Sequence, residues 1–309
     1  MEHPAASVHV GWGDEIQQCG VVPRRTEREL WVSEVQRGDV CRRCGVVHCA
    51  HLFLFWVVLD DVGRFGRRFH SGPYQHQYSD MLQNLVRDWR IQFQQPRLPF
   101  GAVTLAPYYQ PHDASFAKLR LQQINLTHHV PDTFVVNNLD CGDPAKANQV
   151  HSPYKQKQGI RAANGIAAML GLRPTVEYLS PSYKSASYST VKQSADAGLV
   201  TLTVTVVLKE AGLYQKPIVL QNVTCPPTAN DECESFAVME EKTGAWHVVT
   251  SFRTSGDTAL ALVVEDWPEG VGIVATRAMF AGWPLVVVTN AAGLPLLPWW
   301  ENVTKKEVP

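Results

Sequence analysis

Tyr78, Leu82, Leu85, Trp89 and Phe93 recur at intervals of three and four, the spacing that gathers one face of an α-helix. Pro96 and Pro99 end that run. The period then changes: Phe100 to Ala106 is a continuous apolar stretch that predicts a buried strand. Phe116 to Ile124 predicts a second helix, with Leu119 and Gln123 on its face. Thr133 to Leu139 is rich in β-branched and aromatic residues and predicts a second strand. Ile160, Ala163, Ala167 and Leu170 return to helical spacing. Ser152 is a favoured N-cap, and Pro153 suits the first helical position because its missing N–H would be unpaired there anyway. Helix and strand in alternation is the order of a parallel sheet covered by helices.

After Gly171 the pattern becomes two-residue alternation. Val200 to Leu208 places threonine on one face and aliphatics on the other. Phe236–Met239, Trp246–Val249, Ala259–Val264 and Gly272–Thr276 are further short strands between Gly, Pro and Asp turns, and Gly293–Pro298 closes the chain's β-rich part. The expected organisation is an α/β domain over 71–175 followed by an antiparallel β module over 176–309. Residues 1–70 are arginine-rich and poorly patterned; within them Leu52 to Leu59 is an apolar run of strand length.

Composition narrows the classes of function. The 309 residues carry 45% hydrophobic and 18% charged side chains with a formal net charge of −1, which gives no reason to expect nucleic acid or an anionic membrane as partner. No apolar run is long enough for a transmembrane helix, and the first residues lack the layout of a signal peptide. Asn125, Asn222 and Asn302 each open an Asn-x-Thr glycosylation acceptor, and Cys225 and Cys233 flank a Pro-Pro turn that a disulfide could close. Those features point towards the secretory pathway. Cys41, Cys44, His48, Cys49 and His51 are ligand types for zinc, but a structural site usually separates its ligand pairs by about a dozen residues, so no metal is expected.

One polar residue stands at a chemically useful place. His151 follows the Asp140-Cys141-Gly142-Asp143-Pro144 turn and precedes a helix start, on the rim beyond a strand's carboxyl end. In open α/β sheets ligands and catalytic groups collect there, although a solvated loop histidine is the commoner use of such a residue.

Several blocks resemble the sialate O-acetylesterases. Asp88-Trp89-Arg90 ends the first helix as that family's Asp-Trp-Arg does, and Leu98 to Leu105 resembles the strand that follows. Leu139 to Asp143 and Val150 to Gln156 resemble the Asp-containing strand end and the Ile-His-Pro-x-x-Lys block. Thr276 to Pro284 and Gly293 to Pro298 resemble the closing Arg-Tyr-Ala-Trp and Leu-Pro-x-x-Pro elements, so the resemblance runs in order over about 72–300. It implies an SGNH-type three-layer α/β fold, incomplete at its N-terminal side, with a β module. The implied reaction is hydrolysis of acetyl esters on sialic acid hydroxyls by a serine, without a cofactor. His151 takes the general base position, which makes a weak hydroxyl nucleophilic. The implied ligand is O-acetylated sialic acid or a related acetylated sugar.

The sequence also departs from the family. Asn148 and Gln149 stand where many members have an aspartate, leaving Asp140 or Asp143 to orient the imidazole, unless a backbone carbonyl does so or the site works as a Ser-His dyad. The Gly-Gln-Ser-Asn block that carries the nucleophile and the Tyr-Gln-Gly-Glu block that carries an oxyanion donor have no counterpart. Ser71 is a turn serine and Gln193-Ser194 falls after the histidine, so the nucleophile is unknown. The expectation is the C-terminal portion of such an esterase with impaired activity; the alternative is a protein that binds O-acetylated glycans without cleaving them. Trp246, Trp267, Trp283, Trp299 and Trp300 are aromatic faces of the kind sugars stack on, and equally the core of a small β module.

Overall fold

In the computed structural model, residues 77–109, 114–149, 151–192, 198–209, 217–230, 233–249 and 251–305 are described. The Cys41–His51 cluster, the Leu52–Leu59 run, Ser71 and Gln193-Ser194 lie outside them. The alternating half of the chain forms α1 (Tyr78–Gln92), β1 (Phe100–Val103), α2 (Ser115–His129), β2 (Thr133–Val136) and α3 (Lys155–Met169). β1 and β2 pair in parallel, with Gly101 opposite Phe134 and Val103 opposite Val136. Successive strand residues face opposite ways, and both faces of this pair are covered. Phe100 and Ala102 pack with Tyr78, Leu82 and Val86 of α1 and Leu119 and Leu126 of α2. Val103, Phe134 and Val136 pack on the other side with Ala162 and Ile166 of α3.

Both strands stop earlier than their apolar runs because side chains take over the backbone bonding. Gln123 Oε1 accepts the Leu105 N–H at 2.9 Å, and Thr104 Oγ1 accepts the Asn138 N–H at 2.8 Å. The third helix differs from expectation twice. Ser152 Oγ accepts the Tyr154 N–H at 3.1 Å in a tight local turn, so it does not cap the helix, which begins at Lys155. The buried stripe is Gln158, Arg161, Ala162, Gly165 and Ile166, whereas Ile160 is 54% exposed. Arg161 finds its partners on that inner side, in Asp140 and the carbonyls of Asn137 and Gly293.

Gly165 explains how closely α3 approaches the sheet. A Cβ placed there would fall within the Phe134 ring. Gly165→Ala is therefore expected to cost about 1–3 kcal/mol by overpacking, despite a helix propensity gain of about 1 kcal/mol. A urea midpoint at or above that of the native protein would show that Phe134 yields freely.

The β-rich half is a sandwich. Its larger sheet has the order β15-β3-β4-β10-β9, built from β3 (Ser182–Lys192), β4 (Leu199–Lys209), β9 (Ser251–Thr254), β10 (Ala259–Pro268) and β15 (Thr304–Lys305). The facing sheet runs β14-β11-β7-β8, from β7 (Phe236–Glu240), β8 (Trp246–Val248), β11 (Ile273–Ala278) and β14 (Trp299–Asn302). Two small pairs complete it: β5 (Ile218–Leu220) with β13 (Val288–Asn290), and β6 (Cys233–Glu234) with β12 (Trp283–Pro284). Alternation in β4 is realised: Val200, Leu202, Val204, Val206 and Leu208 are buried, with the intervening threonines half-buried. They meet Phe236, Val238 and Trp299 from the other sheet in one core. The strand β3, with only Ala186 and Tyr188 buried, carries little hydrophobic signal and is added by the structure. Among the described residues no helix is long and apolar enough to cross a membrane.

Candidate functional site

The carboxyl ends of β1 and β2 open onto a rim made by residues 104–109, 137–149 and 151–154. Asn137 anchors it. Its buried Nδ2 donates to the carbonyls of Pro295 and Leu296, at 2.8 and 3.1 Å, and its Oδ1 accepts from Leu139 N–H. Gly142, in the next turn, lies so close to Trp283 and Pro107 that a Cβ would collide with both. Beyond it, Tyr109 N–H donates to Ala147 at 2.7 Å, and Thr228 Oγ1 donates to Pro144 at 2.8 Å. The Cys225–Cys233 disulfide is formed, with Cα atoms 5.8 Å apart. It packs with Tyr109, Ala147, Ala229 and Trp283 behind this loop.

His151 emerges from that loop exposed to solvent and makes no hydrogen bond to any described residue. The two carboxylates expected to orient it are engaged elsewhere. Asp140 takes a two-pronged bond from Arg161, Nη1 to Oδ1 at 2.6 Å and Nη2 to Oδ2 at 2.8 Å, and a third from Lys157 Nζ at 2.5 Å. Burial alone would raise the Asp140 pKa; the Arg161 and Lys157 contacts outweigh it and hold the carboxyl below its ordinary range. Asp143 Oδ1 accepts the Ala145 N–H at 3.0 Å, bonding its own turn. Both commitments follow from local chemistry: Asp140 stands opposite two cations, and Asp143 closes an Asx turn.

Arg161 does more than neutralise Asp140. Nη1 also donates to Asn137 O at 2.7 Å and Nη2 to Gly293 O at 3.1 Å, tying α3, the end of β2 and the closing segment together. A second arginine, Arg120 of α2, is fully buried and has only carbonyls around it: Leu105, Ala106, Ala281 and Gly282, at 2.7–2.9 Å. Burial pushes its pKa down to about 9, which leaves it protonated at neutral pH. Neither arginine, nor Lys157, stood out in the sequence as part of the rim; the available signal was an arginine within an otherwise buried helical stripe.

Nucleophiles are few here. Cys141 is a buried free thiol, and desolvation, reinforced by the charge of Asp140, pushes its pKa up to about 12. It is a protonated thiol and not a nucleophile. Ser152 is buried with its oxygen on the Tyr154 N–H. No described serine or cysteine is bonded to His151. Among the described residues no group of His, Cys, Asp or Glu could hold a metal ion. The three glycosylation acceptors differ: Asn222 and Asn302 are exposed, whereas Asn125 is half-buried on α2 and donates to Ser79 Oγ at 3.1 Å.

No protein-family model matches this sequence, and no curated protein matches it. Among solved structures the chain is similar to one described as a novel carbohydrate acetylesterase from Xanthomonas citri, with a TM-score of 0.56 and 20% sequence identity. The match covers 73% of this chain and 46% of that one, so the chain spans less than half the length of the enzyme it resembles. At this identity the likeness is one of fold: the described residues adopt an acetylesterase-like mixed α/β architecture.

Proposed function

We propose that this chain is a sialate O-acetylesterase-like scaffold that holds an acetylated sugar at the rim carrying His151, with hydrolysis impaired. In this reading residues 71–175 are a partial SGNH-type esterase domain, its three layers incomplete, and 176–309 its β-rich module. The observation that carries the proposal is the position of His151. It stands solvent-facing beyond the carboxyl end of β2, in a fold similar to that of a carbohydrate acetylesterase. A general base belongs there: an imidazole within reach of a hydroxyl turns it into a competent attacker of an ester carbonyl, and backbone N–H groups then hold the oxyanion. Impairment is supported by what surrounds it. Asp140 and Asp143 are both committed to other partners, Cys141 is protonated, and no described hydroxyl is bonded to the imidazole. The formed disulfide supports an oxidising compartment, hence a secreted or lysosomal location, with Asn222 and Asn302 open to glycosylation.

Treatment of the full chain with a fluorophosphonate probe is expected to label no serine, and hydrolysis of 4-nitrophenyl acetate is expected to match that of His151→Ala. Labelling of a serine, together with a fall in hydrolysis of about 100-fold or more in His151→Ala, the usual contribution of a general base, would overturn the claim of impairment and leave an active esterase. A glycan array carrying O-acetylated sialosides beside their deacetylated counterparts tests the ligand. Retention of both alike, or of neither, is incompatible with recognition of the acetyl group.

A further inference from the structure

We propose that the outer face of the β14-β11-β7-β8 sheet is a binding platform for a neutral pyranose glycan, separate from the rim that carries His151. Of the module's tryptophans named above, Trp267, Trp283 and Trp299 are buried, whereas Trp246 is half-buried and Trp300 is 41% exposed. Register shows why. Trp300 pairs across from Arg277, Arg277 from Ala237 and Ala237 from Val248, so all four side chains share the sheet face that points away from the sandwich core. Trp246, opposite Met239, which in turn stands opposite Ala275, falls on the same face one row along.

The rings on this face are held in place. The Arg277 guanidinium lies 4.3 Å over the Trp246 ring and 5.3 Å from Phe280. Trp300 stands edge-to-face with Trp246 at 5.2 Å and with Phe280 at 5.0 Å. The small residues Ala237 and Ala275 on the same face are buried. An aromatic surface locked in this way loses little side-chain entropy when a ligand arrives, which is the condition for useful affinity from a small contact.

Charge and size select the ligand. Glu234 neutralises Arg277 with two bonds, at 2.7 and 2.5 Å, so the arginine is not free to capture an anionic sugar. What remains is a neutral surface made by the exposed part of Trp300 beside Trp246, whose ring lies under the Arg277 guanidinium, complementary to an uncharged sugar whose C–H faces stack and whose hydroxyls need donors and acceptors. The two indoles present at most roughly 200 Å² of ring surface on this face. A protein partner ordinarily needs about 800 Å² per side. The exposed indole surface is on the scale of a sugar contact, and Val248, 61% exposed on the same face, extends it.

Native gel electrophoresis through neutral xylan and through hydroxyethylcellulose tests this, with polysialic acid as the anionic control. The full chain is expected to be retarded by at least one neutral polymer and not by polysialic acid. Trp300→Ala, which removes the more exposed of the two indoles, is expected to weaken binding about tenfold or more, in a protein that still unfolds cooperatively but at a lower temperature, because two ring contacts are lost. As a second measurement, xylohexaose is expected to shield the native protein's tryptophan fluorescence from acrylamide. Failure of both neutral polymers, equal retardation of Trp300→Ala, or unchanged acrylamide quenching would overturn the proposal. Sedimentation showing a dimer that Trp300→Ala dissociates would likewise overturn it, in favour of self-association. The polymers carry no acetyl ester and the variant leaves His151 intact, so the outcome is independent of whether acetyl esters are bound or cleaved at the rim.

Discussion

Arg120→Met is expected to lower the melting temperature of the folded chain by about 8–16 °C. The guanidinium is fully buried and gives its donors to four main-chain carbonyls, two from the end of β1 and two from the closing segment. No carboxylate accompanies it. The carbonyls themselves stabilise the charge, and of the four the Gly282 carbonyl also accepts the Tyr108 N–H, at 3.0 Å. Hydrogen bonds to a charged group each contribute about 1.5–3 kcal/mol, and a buried acceptor left bare costs about 1–3 kcal/mol. These terms are not additive, since a shortened side chain admits water and neighbours relax. A net loss of about 4 kcal/mol is the reasonable middle, and in a fold of this size each kcal/mol shifts the midpoint by about 2–4 °C. Arg120→Lys keeps the charge but not the planar fork, and should fall between the two. Thermal denaturation followed by circular dichroism reads all three proteins. An Arg120→Met midpoint equal to the native one would mean that the carbonyls find other donors and that Arg120 does not join the two halves.

The second large effect is at Asp140, and it depends on pH. Its folded-state pKa lies below that of an unfolded aspartate because Arg161 and Lys157 together outweigh the cost of burial. A carboxyl so shifted contributes its stability in full above its unfolded pKa of about 3.9. That contribution is lost as pH falls further, through the folded value, when the proton goes on. At pH 7 Asp140→Ala leaves Arg161, which is itself buried, without its counter-charge, and should cost about 3 kcal/mol. Urea midpoints at pH 7 and below pH 4 make the test. The gap between native protein and Asp140→Ala should be wide at the higher pH and narrow at the lower one. A gap that stays constant would show that packing, and not the ion pair, is what the variant removes.

These two residues also mark where sequence reading stops. The alternation of helix and strand, the period-two pattern of β4 and the Cys225–Cys233 pairing were legible because each is written locally, in spacing or in turn residues. Arg120 and Arg161 were not, because a polar residue on a helix reads as solvent-facing until its carbonyl partners are known. Those partners lie far along the chain: Ala281 and Gly282 for Arg120, Gly293 for Arg161. The same blindness assigned α3 the wrong inner face and left Asp140, beside Asp143, among the possible orienters of His151. The strand β3 escaped notice for a related reason, since ladder bonding to β4 holds a sequence with few apolar residues. The placement of His151 on a rim beyond a strand end was readable from turn formers alone; what stands beside it was not.

The two arginines have a consequence for how force and position pass through the molecule. Phe280, which packs on Trp300, is covalently next to Ala281, whose carbonyl Arg120 holds. Met279 before it is fully buried with a left-handed backbone, φ 52°, and its N–H is fixed to Ser235 O at 2.7 Å, so this short stretch has no slack. The outer aromatic face and the rim are therefore linked, at a spacing that this short hydrogen-bonded stretch helps to set. A polymer chain gripped at the first would be tethered, and its next segments would meet the second as an intramolecular event. The effective concentration of acetyl groups at His151 would then be fixed by that spacing and by the polymer's stiffness, not by the bulk solution.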